Sequence, residues 1–262
     1  ATAQVAFQTF RGSVFTMRVI SRLISIALFA TASSAFADDL FADGVPRDIK
    51  KYSSVAHGTT MGGYPLYQGG HEWKLITHES NTNNLNMKIA RVHLASPDAS
   101  GYLAQMFVTT NLTQAMEEGW YSGDACDQNG SALHTINKSA GKRDNCMTLR
   151  PYNVPLNGRD SAAMLITVRN SQSNWRLYSM TLLINPVSLG FPNTLVDEWS
   201  RDSIAQDPKK RKFIENLSTW AGHLQDAVNA AIGYDKPQDA FSNVPSIRSL
   251  ADSNTKVNTA SN

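Results

Sequence analysis

Phe213, Ile214, Leu217, Trp220, Ala221, Leu224, Ala227, Val228 and Ala231 recur at three- and four-residue spacing, which is one apolar stripe on a helix. Asp207-Pro208 ahead of the stripe supplies an N-cap and a proline at the first helical position. Gly233 closes it, with Pro237 just beyond. A shorter helix is expected over 194–204, with Asn193 as its cap. Before this helical pair the period changes. Stretches 73–78, 87–95, 102–110, 147–154, 162–169 and 175–184 are rich in β-formers, and turn clusters at 81–84, 96–101 and 170–174 separate several of them. The stretch 147–154 is the weakest strand, limited by Pro151 and Pro155. Strands in one block and helices in another predict an α+β domain. The expected architecture is an antiparallel sheet of about five to six strands with a C-terminal helical pair packed on one face. A further helix on the other face is the alternative.

Outside these blocks the chain reads differently. Met17 opens a segment with Arg18 and Arg22, a short apolar run over 24–32, and Ala35-Phe36-Ala37 ahead of Asp38. That order predicts a signal peptide over 17–37 with cleavage after Ala37. The apolar run is too short for the ~20 residues that span a bilayer, so no stable membrane insertion is expected after cleavage. Residues 1–16 precede a complete signal and are read as an upstream translated extension. Residues 38–70 show no sustained period and are expected as an extended lead-in, with a helical turn near 46–51. The single domain then covers 71–234, and 235–262 reads as a polar, disordered tail.

Charge excludes one large class of partner. The chain holds 24 basic against 22 acidic residues. Arg11, Arg18 and Arg22 lie within residues 1–37, which carry no acid, so 21 basic face 22 acidic residues thereafter. A nucleic-acid partner is not expected from that balance.

Cys126 and Cys146 are the two cysteines, in a Gly-, Asn- and Ser-rich loop over 120–150. In an exported chain such a pair predicts a disulfide staple. There is no C-x-x-C, and His134 is the one histidine inside the loop, so zinc and thioredoxin-like chemistry are not expected. Asp124, Asp127 and Asp144, with Asn129 and Asn145, are read as turn chemistry rather than calcium ligands.

Reaction motifs are absent: no G-x-S-x-G, H-E-x-x-H, Walker loop or G-x-G-x-x-G occurs. His78 and His93 fall on neighbouring expected strands, where they would meet and, with Glu79 or His57, offer metal ligands. No metal or cofactor is expected, and no catalytic residue is assigned. Two candidate interfaces stand out. Trp120-Tyr121 sits just ahead of Cys126 and has the aromatic character of interface anchors. Lys209-Lys210-Arg211-Lys212 places four cations on the first turn of the strongest helix, where the helix dipole disfavours them. Contact with an anionic surface or acidic partner is one reading; a solvated turn is the other. The resulting expectation is a periplasmic or secreted bacterial envelope protein, non-catalytic, binding another envelope protein or a small ligand. The alternative is a periplasmic hydrolase or metal-dependent enzyme using His78, His93 or His134 with nearby acids.

Overall fold

The computed structural model describes residues 39–83, 86–113, 126, 131–140, 144–156, 158–173, 176–233 and 237–251. The expected signal segment and its cleavage site lie outside them. Five two-residue strands come first: β1 (Phe41–Ala42), β2 (Val45–Pro46), β3 (Ser54–Val55), β4 (Thr60–Met61) and β5 (Tyr64–Pro65). Seven further strands follow: β6 (Trp73–Thr82), β7 (Lys88–Asp98), β8 (Gly101–Asn111), β9 (His134–Asn137), β10 (Asn145–Leu156), β11 (Arg159–Ser173) and β12 (Arg176–Ile184). The helices are α1 (Arg201–Gln206) and α2 (Pro208–Ala231).

The α+β class holds, but the principal sheet has eight strands, in the order β3-β6-β7-β8-β12-β11-β10-β9. Every pairing in it is antiparallel. The six strands expected from sequence are β6, β7, β8, β10, β11 and β12. The two additions are the edges, β3 and β9, which span two and four residues and carry too little alternation to be read. Two meanders, β6–β7–β8 and β9–β10–β11–β12, join where β12 lies beside β8.

The sheet core and α2 meet on one face. Alternate residues Met164, Ile166 and Val168 of β11 and Tyr178, Met180, Leu182 and Ile184 of β12 are buried there. They share one cluster with Phe213, Leu217, Trp220, Ala221, Leu224 and Val228 of α2. Asp207 caps α2 as expected, its carboxylate accepting from the Lys209 and Lys210 amides. At the other end Arg176 donates to the carbonyls of Ile232 and Gly233, a cation on the negative pole of the helix. Polar pairs set the position of α2 along the strands. Gln225 donates to Asn145 at 3.0 Å and Asn170 donates to Asn229 at 2.5 Å. Asn145 and Asn170 face each other across β10 and β11, while Gln225 and Asn229 are one helical turn apart, so all four amides meet on one patch.

Three segments differ from expectation. The helix expected over 194–204 with Asn193 as its cap is instead a 3-10 turn at Val196–Trp199 followed by α1, which Ser200 caps by accepting from the Ser203 amide, while Asn193 accepts from Ser161. Residues 39–67, expected as a lead-in, are part of the core, with Leu40, Phe41, Met61, Tyr64, Leu66 and Tyr67 buried; no helix forms near 46–51. Asp43-Gly44 and Gly62-Gly63 make two-residue hairpin turns with positive φ at both positions. Asp39 ties the two hairpins together by accepting from the amides of Phe41, Gly62 and Gly63. Residues 237–251, expected as part of a disordered tail, bury Phe241, Val244, Ile247 and Leu250. Those four are each three residues apart, a succession of turns hidden among polar neighbours. The remainder of the expected tail, 252–262, lies outside the described residues.

β10 runs through both of its prolines, and register explains how. Asn145 and Leu149 turn their carbonyls outward, accepting from Lys138 and Leu133. The same alternation turns Pro151, Asn153 and Pro155 to the edge of β10 beyond the end of β9. Proline there costs no ladder bond and removes two donors that another strand would capture. The double variant Pro151→Val/Pro155→Val is therefore expected to self-associate. Light scattering on the purified variant checks this, and a persistent monomer would contradict the guarded-edge reading.

Candidate binding face

The face of the sheet turned away from α2 carries its own organisation. Cross-strand register sets Thr77, His93, Phe107, Thr181, Thr167, Thr148 and Thr135 in one rank from β6 to β9. Side chains two residues further along each strand form the next rank, Gln105, Leu183, Leu165 and Arg150. Beyond these lie Ala163 paired with Tyr152, then Val154. Val154, Ala163, Leu165 and Leu183 are buried as a second cluster, against half-buried Phe107 and Tyr152. Among the described residues, every member of that cluster comes from the sheet itself. In the other direction the face is polar, with Glu79, Arg91, Thr109, Ser179 and Arg169 in register. An apolar and aromatic end, a rank of hydroxyls and a charged end thus share one surface.

His93 links the first two zones. Its ring stacks on Phe107 with centroids 4.1 Å apart, and its Nε2 bonds Gln105 Oε1 at 3.0 Å. Burial pushes its pKa down to about 4; the Gln105 bond opposes this and the charge of Lys51 adds to it. At neutral pH the ring is uncharged and serves as a stacking and hydrogen-bonding surface. Arg150 lies over the Tyr152 ring at 5.9 Å, a second planar pair at the apolar end.

The remaining sequence candidates do not converge with it. His78 and His93 lie on adjacent strands but on opposite faces, because an irregularity between Leu75 and Thr77 pairs His93 with Thr77 and His78 with Val92. His78 instead bonds the Arg47 carbonyl at 2.7 Å and packs edge-on against Phe41. His134 stands on β9, six strand spacings from β6, roughly 29 Å at the usual interstrand distance. His78, His93 and His134, the histidines offered by the alternative enzymatic reading, are therefore held apart, and Glu79 pairs with Arg91. Among the described residues no three His, Cys, Asp or Glu side chains form a metal-binding group.

The cation run at the start of α2 is largely engaged by its own chain. Lys209 donates to the Gly190 carbonyl and lies over the Phe191 ring at 4.7 Å. Lys210 donates to the Glu198 carbonyl and lies over the Trp199 ring at 5.2 Å. Lys212 pairs with Glu215, and Arg211 is exposed. The two lysines roof the Phe191, Trp199 and Phe213 ring cluster, so packing offsets the unfavourable dipole.

Cys126 and Cys146 form the expected disulfide, with Cα atoms 5.6 Å apart. Cys146 sits on β10 opposite Asn137 and Arg169, so the bond ties the loop to the far side of the sheet. Asp144, next to it, is buried and paired with Arg169 at 2.6 Å rather than arranged for calcium. Trp120 and Tyr121, like Asp124, Asp127 and Asn129, lie outside the described residues. A shallow cleft of about 310 Å³ is lined by Asp39, Asp43, Lys88 and Leu112 among others, but Asp39 is already occupied by backbone amides. No helix among the described residues is long and apolar enough to cross a membrane. No family model, curated protein or solved structure matches this chain.

Proposed function

We propose that this chain is an exported, non-catalytic binding domain of the bacterial envelope that holds an envelope protein or small ligand on the face of the sheet opposite α2. The observation that carries this reading is the half-buried pair Phe107 and Tyr152, set against the buried apolar residues Val154, Ala163, Leu165 and Leu183 on the face of the sheet opposite α2. Aromatic side chains left part-exposed beside apolar residues and bordered by polar groups have the composition of an interaction surface. The disulfide supports an oxidising compartment, and the Met17 segment supports export into it.

Photo-cross-linking in cells tests the proposal. A photoreactive phenylalanine analogue at Phe107 or Tyr152 is expected to give a discrete higher-mass adduct. The same analogue at Thr219, on the exposed side of α2, is expected to give none. Absence of adducts from both sheet positions would refute the binding face. Recovery of the chain from the cytoplasm with both cysteines reduced would refute export.

A further inference from the structure

Residues 237–251 return across the protein as an anchored strap. Phe241, Val244, Ile247 and Leu250 are buried, Phe241 between the rings of Tyr67 and Tyr178. The Pro245 carbonyl accepts from two buried aromatics, the Tyr67 hydroxyl at 2.9 Å and Trp220 Nε1 at 2.8 Å. The third anchor is His71, whose Nε2 lies 3.0 Å from the Ile247 amide nitrogen and 3.0 Å from Ser246 Oγ. A backbone N–H can only donate. His71 Nε2 must therefore be the acceptor, which requires a neutral ring protonated on Nδ1.

We propose that His71 is a proton-sensitive latch for this strap, releasing residues 237–251 from the Tyr67–Trp220 groove when its Nε2 takes a proton. A proton on Nε2 faces the Ile247 N–H, donor against donor, and the bond is lost. The Ser246 hydroxyl can turn to accept, but the amide cannot. Local charge works in the same direction. Half-burial lowers the pKa of His71 from its ordinary 6.5, and the nearby Arg248, on the strap itself, lowers it further. Arg248 is held by Asp98 of β7 at 3.3 Å, and Glu72, beside His71 in the chain, is held by Lys74 at 2.5 Å. Neither carboxylate is among the groups that shift His71.

The sign follows from linkage. The closed strap binds the proton more weakly than the open one, so closure is fully favoured above the ordinary histidine value and weakens as pH falls toward the depressed one. Within that window the open fraction rises by at most about tenfold per pH unit, the limit for one proton. His93 also has a lowered pKa, but its partners lie on β8, so its titration loosens β7–β8 rather than the strap.

Hydrogen exchange on the full chain, corrected for intrinsic rates between pH 7.5 and about pH 5, reads the latch above the ordinary carboxylate range. Peptides covering 237–251 are expected to gain exchange as pH falls below 6.5, by at most about tenfold per unit, with α2 unchanged. His71→Gln, whose amide oxygen accepts from Ile247 without titrating, is expected to keep the strap closed throughout. Imidazole ¹⁵N shifts of the unmutated protein supply a measurement independent of that variant, with Nε2 expected to be unprotonated at neutral pH. A proton on Nε2 at neutral pH, a pH-independent strap in the unmutated chain, or an equal acid response in the glutamine variant would each overturn the latch.

Discussion

Trp220→Ala lowers the free energy of unfolding by about 3–5 kcal/mol, the range of large aromatic truncations in a packed core. Trp220 lies in the middle of the α2 stripe and is 3% exposed. Its ring meets Tyr67 edge-on at 5.6 Å, and its Nε1 donates to the Pro245 carbonyl. Truncation thus opens a cavity between α2 and the residues before β6, and strips one of two donors from Pro245. Urea denaturation followed by far-UV circular dichroism measures the loss, with Leu217→Ala as a purely apolar companion expected at about 2–5 kcal/mol. A cost below about 1 kcal/mol at both positions would mean that the stripe is not core. The rival idea of α2 lying on a membrane predicts the opposite pattern: binding to anionic vesicles lost in Trp220→Ala at unchanged stability. Trp220 and Leu217 are buried and Lys209 and Lys210 engaged internally, so that outcome is not expected.

Replacing both cysteines by serine costs about 3 kcal/mol in the chain-entropy view, given a sequence separation of 20 between them. The bond links Cys126 to β10 and so constrains a loop that has few apolar residues of its own. The cost falls on the unfolded chain, which regains loop freedom, so the folded spectrum is expected to stay the same while the midpoint drops. Reductant applied to the unmutated protein should reproduce the shift. Free thiols titrated in the native protein would remove the basis of this prediction.

Legibility in the sequence followed the reach of the interaction involved. The Asp207 cap, the α2 stripe and six strands are local patterns, each repeated over several residues, and all of them form. The Cys126–Cys146 bond was legible for a different reason: two cysteines leave one pairing. β9 was missed because four residues inside a polar loop carry no usable period. Phe241, Val244, Ile247 and Leu250 were missed because one apolar residue in three lowers mean hydropathy to that of a disordered segment. Their regular spacing was the available signal. The candidate binding face was hidden for a geometric reason. Its rank of Thr77, His93, Phe107, Thr181, Thr167, Thr148 and Thr135 draws one residue from each of seven strands, and only register brings them together.

Local periodicity therefore decided the long helix and the six longer strands, because caps, stripes and alternation act between residues a few positions apart. It also sorted the two sides of each strand into inward and outward sets. Tertiary structure decided where those elements went. Placing β12 beside β8, rather than leaving two separate meanders, is what makes a continuous eight-stranded sheet. The one-residue irregularity between Leu75 and Thr77 sends His78 and His93 to opposite faces, which a chain of alternating residues cannot announce. Lys209 and Lys210 became roofing for Phe191 and Trp199 across the chain between α2 and β12, and His71 became the acceptor for Ile247, 176 residues away. Such contacts depend on which surfaces the packed core brings together, and no stretch of sequence contains both halves of them.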